Sequence, residues 1–435
     1  MLHVSQSRRV ELWGGIECSV VRIGSAFRNQ VVETGHDVRL NDLSLIADLG
    51  IRTVRYPVIW ETISPRCPHL ADWAWHDARI SRMRQLSLEP IVGLVHHGSG
   101  PDYARLLGGN FAEGLALHAA SVAERYPWVT WYTPVNEPLT TARFSALYGL
   151  WQPHLRDENA FFRAVVEQCI ATVMAMSAIT SVNAHAKLIQ TEDIGRIFST
   201  PSLKQQADYE NERRWLSLDL LCGHVDSHHP FYSTLIEAGV TESELAYLRD
   251  RGPVIDVIGM NHYLTSDRYL DERLPLFPPE RHGGNGRESY ADIEAFRADL
   301  PDADLGPAAR LAEVWTRYHL PIAVTEVHNG APPGDQVKWL MEVWKAAHEL
   351  QSLGADVRAV TVWSIFGAMD WDSLLTEENG QYECGVFDVR GTDLVPTLMA
   401  DAVRALTTAG KWDHPVLSEP GWWQRAERIY TNLKS

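Results

Sequence analysis

The sequence predicts an α/β chain closed into a (β/α)8 TIM barrel, a single domain over residues 1–435, on three observations. Short runs rich in Val, Ile, Leu and aromatic residues alternate eight times with longer stretches of helical period, the pattern of a parallel sheet with helices outside it. None of the strand-to-helix turns carries the glycine-rich pattern of a dinucleotide site, which favours a closed barrel over an open doubly wound sheet. No low-complexity linker divides the chain, and barrels with insertions often run past 400 residues.

In chain order, strands are expected at 11–17, 51–57, 89–96, 129–136, 185–191, 254–261, 320–326 and 357–364. Helices are expected at 39–49, 76–88, 111–126, 158–182, 205–221, 305–319, 334–353 and 396–409. Gly50, Gly354 and Gly410 stand where helices end, since glycine adopts the left-handed conformation that closes a last turn. Two connections are long: 18–35 after the first strand, and 264–304 after the sixth, where Leu276-Phe277-Pro278-Pro279 and Gly283-Gly284-Asn285-Gly286 concentrate turn formers. A long loop on a compact barrel is usually functional, and the second is expected to form a lid or rim.

Composition narrows the function. A net charge of -17 argues against nucleic acid or an anionic membrane surface as partner. Hydrophobic residues at 45%, with 16 Trp, supply a large core and leave indoles for a cleft that stacks sugar rings. Cys18, Cys67, Cys169, Cys222 and Cys384 are odd in number, scattered, and never in a C-x-x-C pair, so neither a disulfide framework nor a zinc ribbon is indicated and a reducing cytoplasm is expected. Met1 to Glu11 has no following apolar stretch of signal-peptide length, and no run approaches 18 uninterrupted apolar residues, so a soluble protein that is not exported is expected.

Barrel chemistry sits at the carboxyl ends of the strands. Those ends present Glu17, Arg55, His96 and His97, Asn136 and Glu137, Asn261 and Tyr263, Glu326 and Trp363. In Thr133-Pro134-Val135-Asn136-Glu137-Pro138 a strand ends in a carboxylate: Pro138 stops the ladder, Asn136 offers an amide to a hydroxyl, and Glu137 can deliver a proton. No H-x-H at the first strand and no four-ligand cluster is present, so no metal or other cofactor is implied. Two glutamates ending separate strands, Glu137 and Glu326, are the pair that glycosidic cleavage needs: an acid for the leaving oxygen and a carboxylate for the anomeric carbon.

With these residues the chain resembles glycoside hydrolase family 1, the retaining β-glycosidases of the clan A barrels. The matching pieces are Thr133 to Pro138; Val324-Thr325-Glu326 followed by Asn329-Gly330; Ile258-Gly259-Met260-Asn261-His262-Tyr263; Trp13-Gly14; Arg55 to Trp60; Pro90 to His96; and Trp363-Ser364. The resemblance implies that Glu137 is general acid/base, Glu326 is nucleophile, and Asn136 grips the sugar 2-hydroxyl. It further implies that Arg55 and Tyr263 hold Glu326 ionised and oriented, that His96 binds a sugar hydroxyl, that Trp363 forms a platform under the ring, and that a cis peptide joins Trp363 to Ser364. Asn261 belongs to the same substrate-binding set.

The departures fall where the sugar's far hydroxyls are read. Val21 stands about where the family has a hydroxyl-binding Gln, leaving Glu17 and Arg22 as the nearest polar substitutes. Asp370-Trp371 falls where the family has Glu-Trp, His97 replaces an indole, and Val327-His328 are inserted before Asn329. Discrimination between sugars rests on such polar contacts, so Asp370, Trp371, Glu17 and Arg22 are the expected determinants of a glycone that need not be glucose. The reading is a cytoplasmic retaining β-glycosidase acting on a small glycoside or oligosaccharide by double displacement. The alternatives are a transglycosylase using the same glutamates and an inactive carbohydrate-binding barrel.

Overall fold

The computed structural model describes residues 9–252, 254–295, 297–298, 300–301, 304–425 and 429–430. Most of the expectation about Met1 to Glu11, and positions 296, 299, 302 and 303 of the 264–304 connection, lie outside them. Eight parallel strands form a closed barrel: β1 (Glu11–Gly15), β2 (Thr53–Pro57), β3 (Glu89–His96), β4 (Trp131–Asn136), β5 (Lys187–Asp193), β6 (Val257–Asn261), β7 (Ile322–Val327) and β8 (Val357–Val362). Each strand pairs with the next, and β1 closes the ring by pairing β8 through Glu11–Gly14 and β2 through Gly14 and Gly15.

The strands are buried on both faces because side chains fill the barrel inside and helices cover it outside. Trp13, Ile91, Ile189, Val257, Ala323 and Ala359 form one buried cluster, with Trp131 packed against it. Outside lie α1 (Asp42–Asp48), α2 (Ala74–Gln85), α3 (Phe111–Arg125), α4 (Glu158–Val182), α5 (Lys204–Arg213), α6 (Leu216–Leu221), α7 (Gly306–Tyr318), α8 (Pro333–Ser352) and α9 (Leu398–Ala409). The helix α4 is long and apolar enough to cross a membrane by length and composition. Its Phe161, Phe162, Val165, Val166, Cys169 and Ile179 are instead buried in the outer layer of the barrel, and Asp157 caps its start by accepting from the Ala160 amide at 2.7 Å.

Three features differ from the sequence expectation. The stretch expected as one helix over 205–221 breaks at Arg214 and Trp215, where the Arg214 guanidinium leaves the helix to donate to the Gly195 carbonyl at 2.6 Å and to Glu313 at 2.9 Å. The 18–35 connection is a hairpin, Val20–Ile23 against Ala26–Asn29, turning at Gly24 with φ +58. The long connection after β6 is ordered into a sheet of Arg268–Asp271, His282–Gly284 and Ser289–Glu294, joined by Ile197–Ser199 from the loop after β5. Tyr269, Phe277, Ala291 and Ile293 give that sheet its own small core. It is rooted beside the strand ends, because Ser266 donates to Asp193 at 2.5 Å.

Candidate active site

Asn136, Glu137, Asn261 and Glu326 are brought together by strand register. Asn136 pairs with His96 across β3 and β4, Asn261 pairs with Asp193 across β5 and β6, and Glu326 pairs with Asn261 after a register shift between Val324 and Glu326. All four side chains are almost fully buried. Asn261 Nδ2 donates to Glu137 at 2.5 Å, while Tyr263, two residues on, donates its phenol to Glu326. One segment therefore touches both glutamates.

The two carboxyls sit in different electrostatic settings. Arg55, in the middle of β2, donates to Glu326 Oε1 at 2.6 Å and to the Thr325 carbonyl at 2.8 Å, and its other terminal nitrogen donates to Asn136 Oδ1 at 2.9 Å. Burial pushes the Glu326 carboxyl up to about 7, with the Arg55 guanidinium pulling it back. Among the described residues no cation lies at hydrogen-bond distance from Glu137; burial, and then the charges of Glu326, Asp193 and Glu192, push its carboxyl well above the usual range. Unequal environments of this kind push the pKa values of two carboxyls apart.

Around this pair the histidines are neutral. Burial holds His96 well below the usual imidazole range and His97 down to about 3. Both ring nitrogens of His96 are engaged: Nε2 accepts from Asn136 Nδ2 at 3.2 Å, and Nδ1 lies 3.4 Å from the Cys18 sulfur. His96 thus orients Asn136. Asn136 Oδ1 also accepts from Thr191 at 2.8 Å. His97 takes a left-handed backbone (φ 59), contacts Thr141 at 3.1 Å and places Nε2 3.8 Å from Glu137.

Trp363 lies at the base of the site. Its peptide bond to Ser364 is cis, its ring stacks on His96 at 5.5 Å, and the Arg55 guanidinium carbon lies 4.6 Å from its centroid. Gly15 is required beneath it, because a Cβ there would come within 2.3 Å of the indole. Glu17 is spent on placing this ring: Oε2 accepts from the Trp363 indole at 3.0 Å and Oε1 accepts from the Ser19 amide and hydroxyl.

The expected outer determinants are arranged differently from one another. Asp370 is buried and held by the protein, accepting from Arg28 at 2.8 Å and from the Gln381 amide at 2.7 Å. Arg22 turns away to Asp102 at 2.7 Å and lies over the Phe27 ring, so it does not join the catalytic cluster. Trp371 does come near, with His97 at 5.7 Å and Trp151 at 6.3 Å, and it packs against a buried apolar group of Val21, Trp151 and Leu375. The sequence reading missed Trp151, and it missed Glu192 and Asp193 at the end of β5. An expected strand at 185–191 stops just before that carboxylate pair, while the observed strand runs to Asp193.

With this geometry in place, comparison with known proteins is informative. The model of glycosyl hydrolase family 1 matches residues 28–382, a span that contains Arg55, Glu137, Glu326, Trp363 and Asp370 but not Glu17 or Arg22. Beta-glucosidase A of Thermotoga maritima is 22% identical over 379 residues, 76% of this chain and 77% of that one. The bifunctional beta-D-glucosidase/beta-D-fucosidase of Bifidobacterium breve is 23% identical over 372 residues, 76% of this chain and 78% of that one. Among solved structures, a β-glucosidase from Thermotoga maritima in complex with deoxynojirimycin superposes with a TM-score of 0.69 at 17% identity, covering 86% of each chain. The same enzyme in complex with azafagomine gives 0.71 at 16% identity, over 92% of this chain and 98% of that one.

Proposed function

From the premise that this chain belongs to glycosyl hydrolase family 1 and is a glycoside hydrolase, we propose that it cleaves β-O-glycosides with retention, through a covalent intermediate on Glu326. The observation that carries the proposal is the asymmetry of the two carboxyls. Glu326 is bound by a guanidinium and a phenol that favour and aim its ionised form, whereas Glu137 has only carboxylates and neutral groups around it, which favour the protonated acid. Glu137 gives its proton to the departing oxygen as Glu326 bonds to the anomeric carbon; then Glu137, now a base, takes a proton from water, which releases the sugar with its original configuration. Asn136, fixed on Arg55, Thr191 and His96, presents its amide to the ring in both steps.

Separation of the carboxyl groups by about 5–5.5 Å belongs to retention, and a gap beyond about 6.5 Å to inversion. The proposal is tested by incubating the enzyme with a 2-deoxy-2-fluoro β-glycoside bearing a dinitrophenolate leaving group. Retention predicts a peptide carrying Glu326 with the mass of one fluorosugar added; label on any other residue, or an α-anomer as first product by NMR, refutes it. Five cysteines without a disulfide, three of them buried, are consistent with a reducing cytoplasm as the place of action.

A further inference from the structure

Glu137 is both the proposed acid and the residue that starts a helix. It precedes Pro138–Ala142 with a left-handed backbone, φ 47 and ψ 66, and its side chain makes no capping hydrogen bond to that helix. A side chain that caps a helix start folds its oxygen back onto the amides two and three residues on. Those two amides, of Leu139 and Thr140, are taken by another carboxylate. Glu192, fully buried at the end of β5, accepts from Leu139 N at 2.9 Å through Oε2, and from Thr140 N and Oγ1 at 3.3 Å through Oε1. Ser217 from α6 donates to the same Oε2 at 2.6 Å and holds the carboxylate in place.

The neighbouring residues of β5 grip the rest of this turn. The Thr191 carbonyl accepts from Glu137 N at 3.2 Å, and Gln190 Nε2 donates to the Val135 carbonyl at 3.0 Å. From α4, Gln168 donates to the Pro138 carbonyl at 2.9 Å.

We propose that Glu192 is a positioning residue of the reaction: by capping the Leu139 and Thr140 amides from a separate strand, it keeps the Glu137 carboxyl from capping its own helix and leaves it free to donate a proton. The inference rests on the proposed role of Glu137 as acid. Without Glu192, the two vacated amides offer the Glu137 carboxylate hydrogen bonds that stabilise its charged form, and the partial negative charge of a carboxyl that burial pushes up to about 7 is lost as well. Both changes act in one direction, weakening the hold of Glu137 on its proton. The other groups facing Glu137 are Glu326 from β7, Asp193 from β5, His97 after β3, and Asn261 and Tyr263 at the end of β6; Arg143 faces Glu192.

The test compares wild type, Glu192→Gln and Ser217→Ala on a series of aryl β-glycosides whose phenols range from poor to activated leaving groups. For Glu192→Gln, kcat/KM on the poorest leaving group should fall by about 10- to 100-fold, part of a full general-acid contribution of about 100- to 10,000-fold, while the dinitrophenyl glycoside changes by less than about threefold. The alkaline limb of the kcat/KM profile should move to lower pH. Ser217→Ala, which keeps the carboxylate and removes one donor, should show the same pattern more weakly, and it decides the matter if Glu192→Gln does not fold. A loss equal across all leaving groups, with the alkaline limb in place, overturns the inference and leaves Glu192 a structural cap. A Glu137→Ala variant insensitive to the leaving group overturns the functional reading itself, and this inference with it.

Discussion

Replacing Arg55 by Met tests whether the nucleophile is kept charged by one guanidinium. Arg55 and Glu326 are both nearly fully buried and meet at 2.6 Å, so their charges lie roughly 4 Å apart. At an effective dielectric near 20 that separation is worth about 4 kcal/mol, equivalent to about three pH units on the Glu326 carboxyl. The carboxyl already sits at about 7 with the guanidinium present. In the Met variant it should rise towards about 10, leaving about one molecule in a thousand ionised at pH 7. The nucleophile must be charged to attack, so the acid limb of kcat/KM should move in the alkaline direction and activity at pH 7 should fall several hundredfold, by about 3 to 4 kcal/mol. Arg55→Lys should return much of the limb but not the full rate, because a single ammonium cannot also hold Asn136. The assay is a pH profile on an activated aryl β-glycoside, which needs little help from the acid. A uniform loss from pH 5 to 10, with the acid limb unmoved, refutes the reasoning.

Azide should rescue both glutamate variants with opposite stereochemistry: a β-glycosyl azide from Glu137→Ala, where it attacks the intermediate, and an α-glycosyl azide from Glu326→Ala, where it attacks the substrate. The same anomer from both, read by NMR, exchanges or removes the assignments. Gly15→Ala should displace the Trp363 ring, since its Cβ would lie 2.3 Å from the indole; kcat/KM should fall at least about tenfold, a 1 Å misplacement being enough for that. A variant of wild-type activity means that the ring is no platform. Asp219→Ala should cost about 3 kcal/mol in denaturant unfolding, because it strips Arg317, Tyr318 and His229 of a fully buried acceptor. A loss below about 1 kcal/mol would show that water fills the gap.

The barrel was legible because its signal is local and repeated. Each buried strand is a short β-branched run, each outer helix has its own period, and the eight observed strands differ from the expected ones only by a few residues at their ends. Glu137 and Glu326 were legible for a related reason: a carboxylate at a strand end is placed by the strand itself. The residues that condition them were less so. Arg22 and Asp370 look available in the sequence, but Arg22 faces Asp102 and Asp370 is held by Arg28, a partner 342 positions away. The contacts of His96 with Cys18, 78 positions away, and with Asn136 are likewise set by the tertiary structure. Trp151 reads as one more core indole, and the turn that brings it against His97 has no periodic signal.

Glu192 marks the boundary most clearly. The sequence by itself determined that a carboxylate ends the fourth strand and another the seventh, because the alternation of strand and helix puts them there. Only the tertiary structure decided which groups face each of them, because those charges and amide donors are brought within a few ångströms by strands far apart in the chain: Arg55 on Glu326, and Glu192 on the amides that follow Glu137.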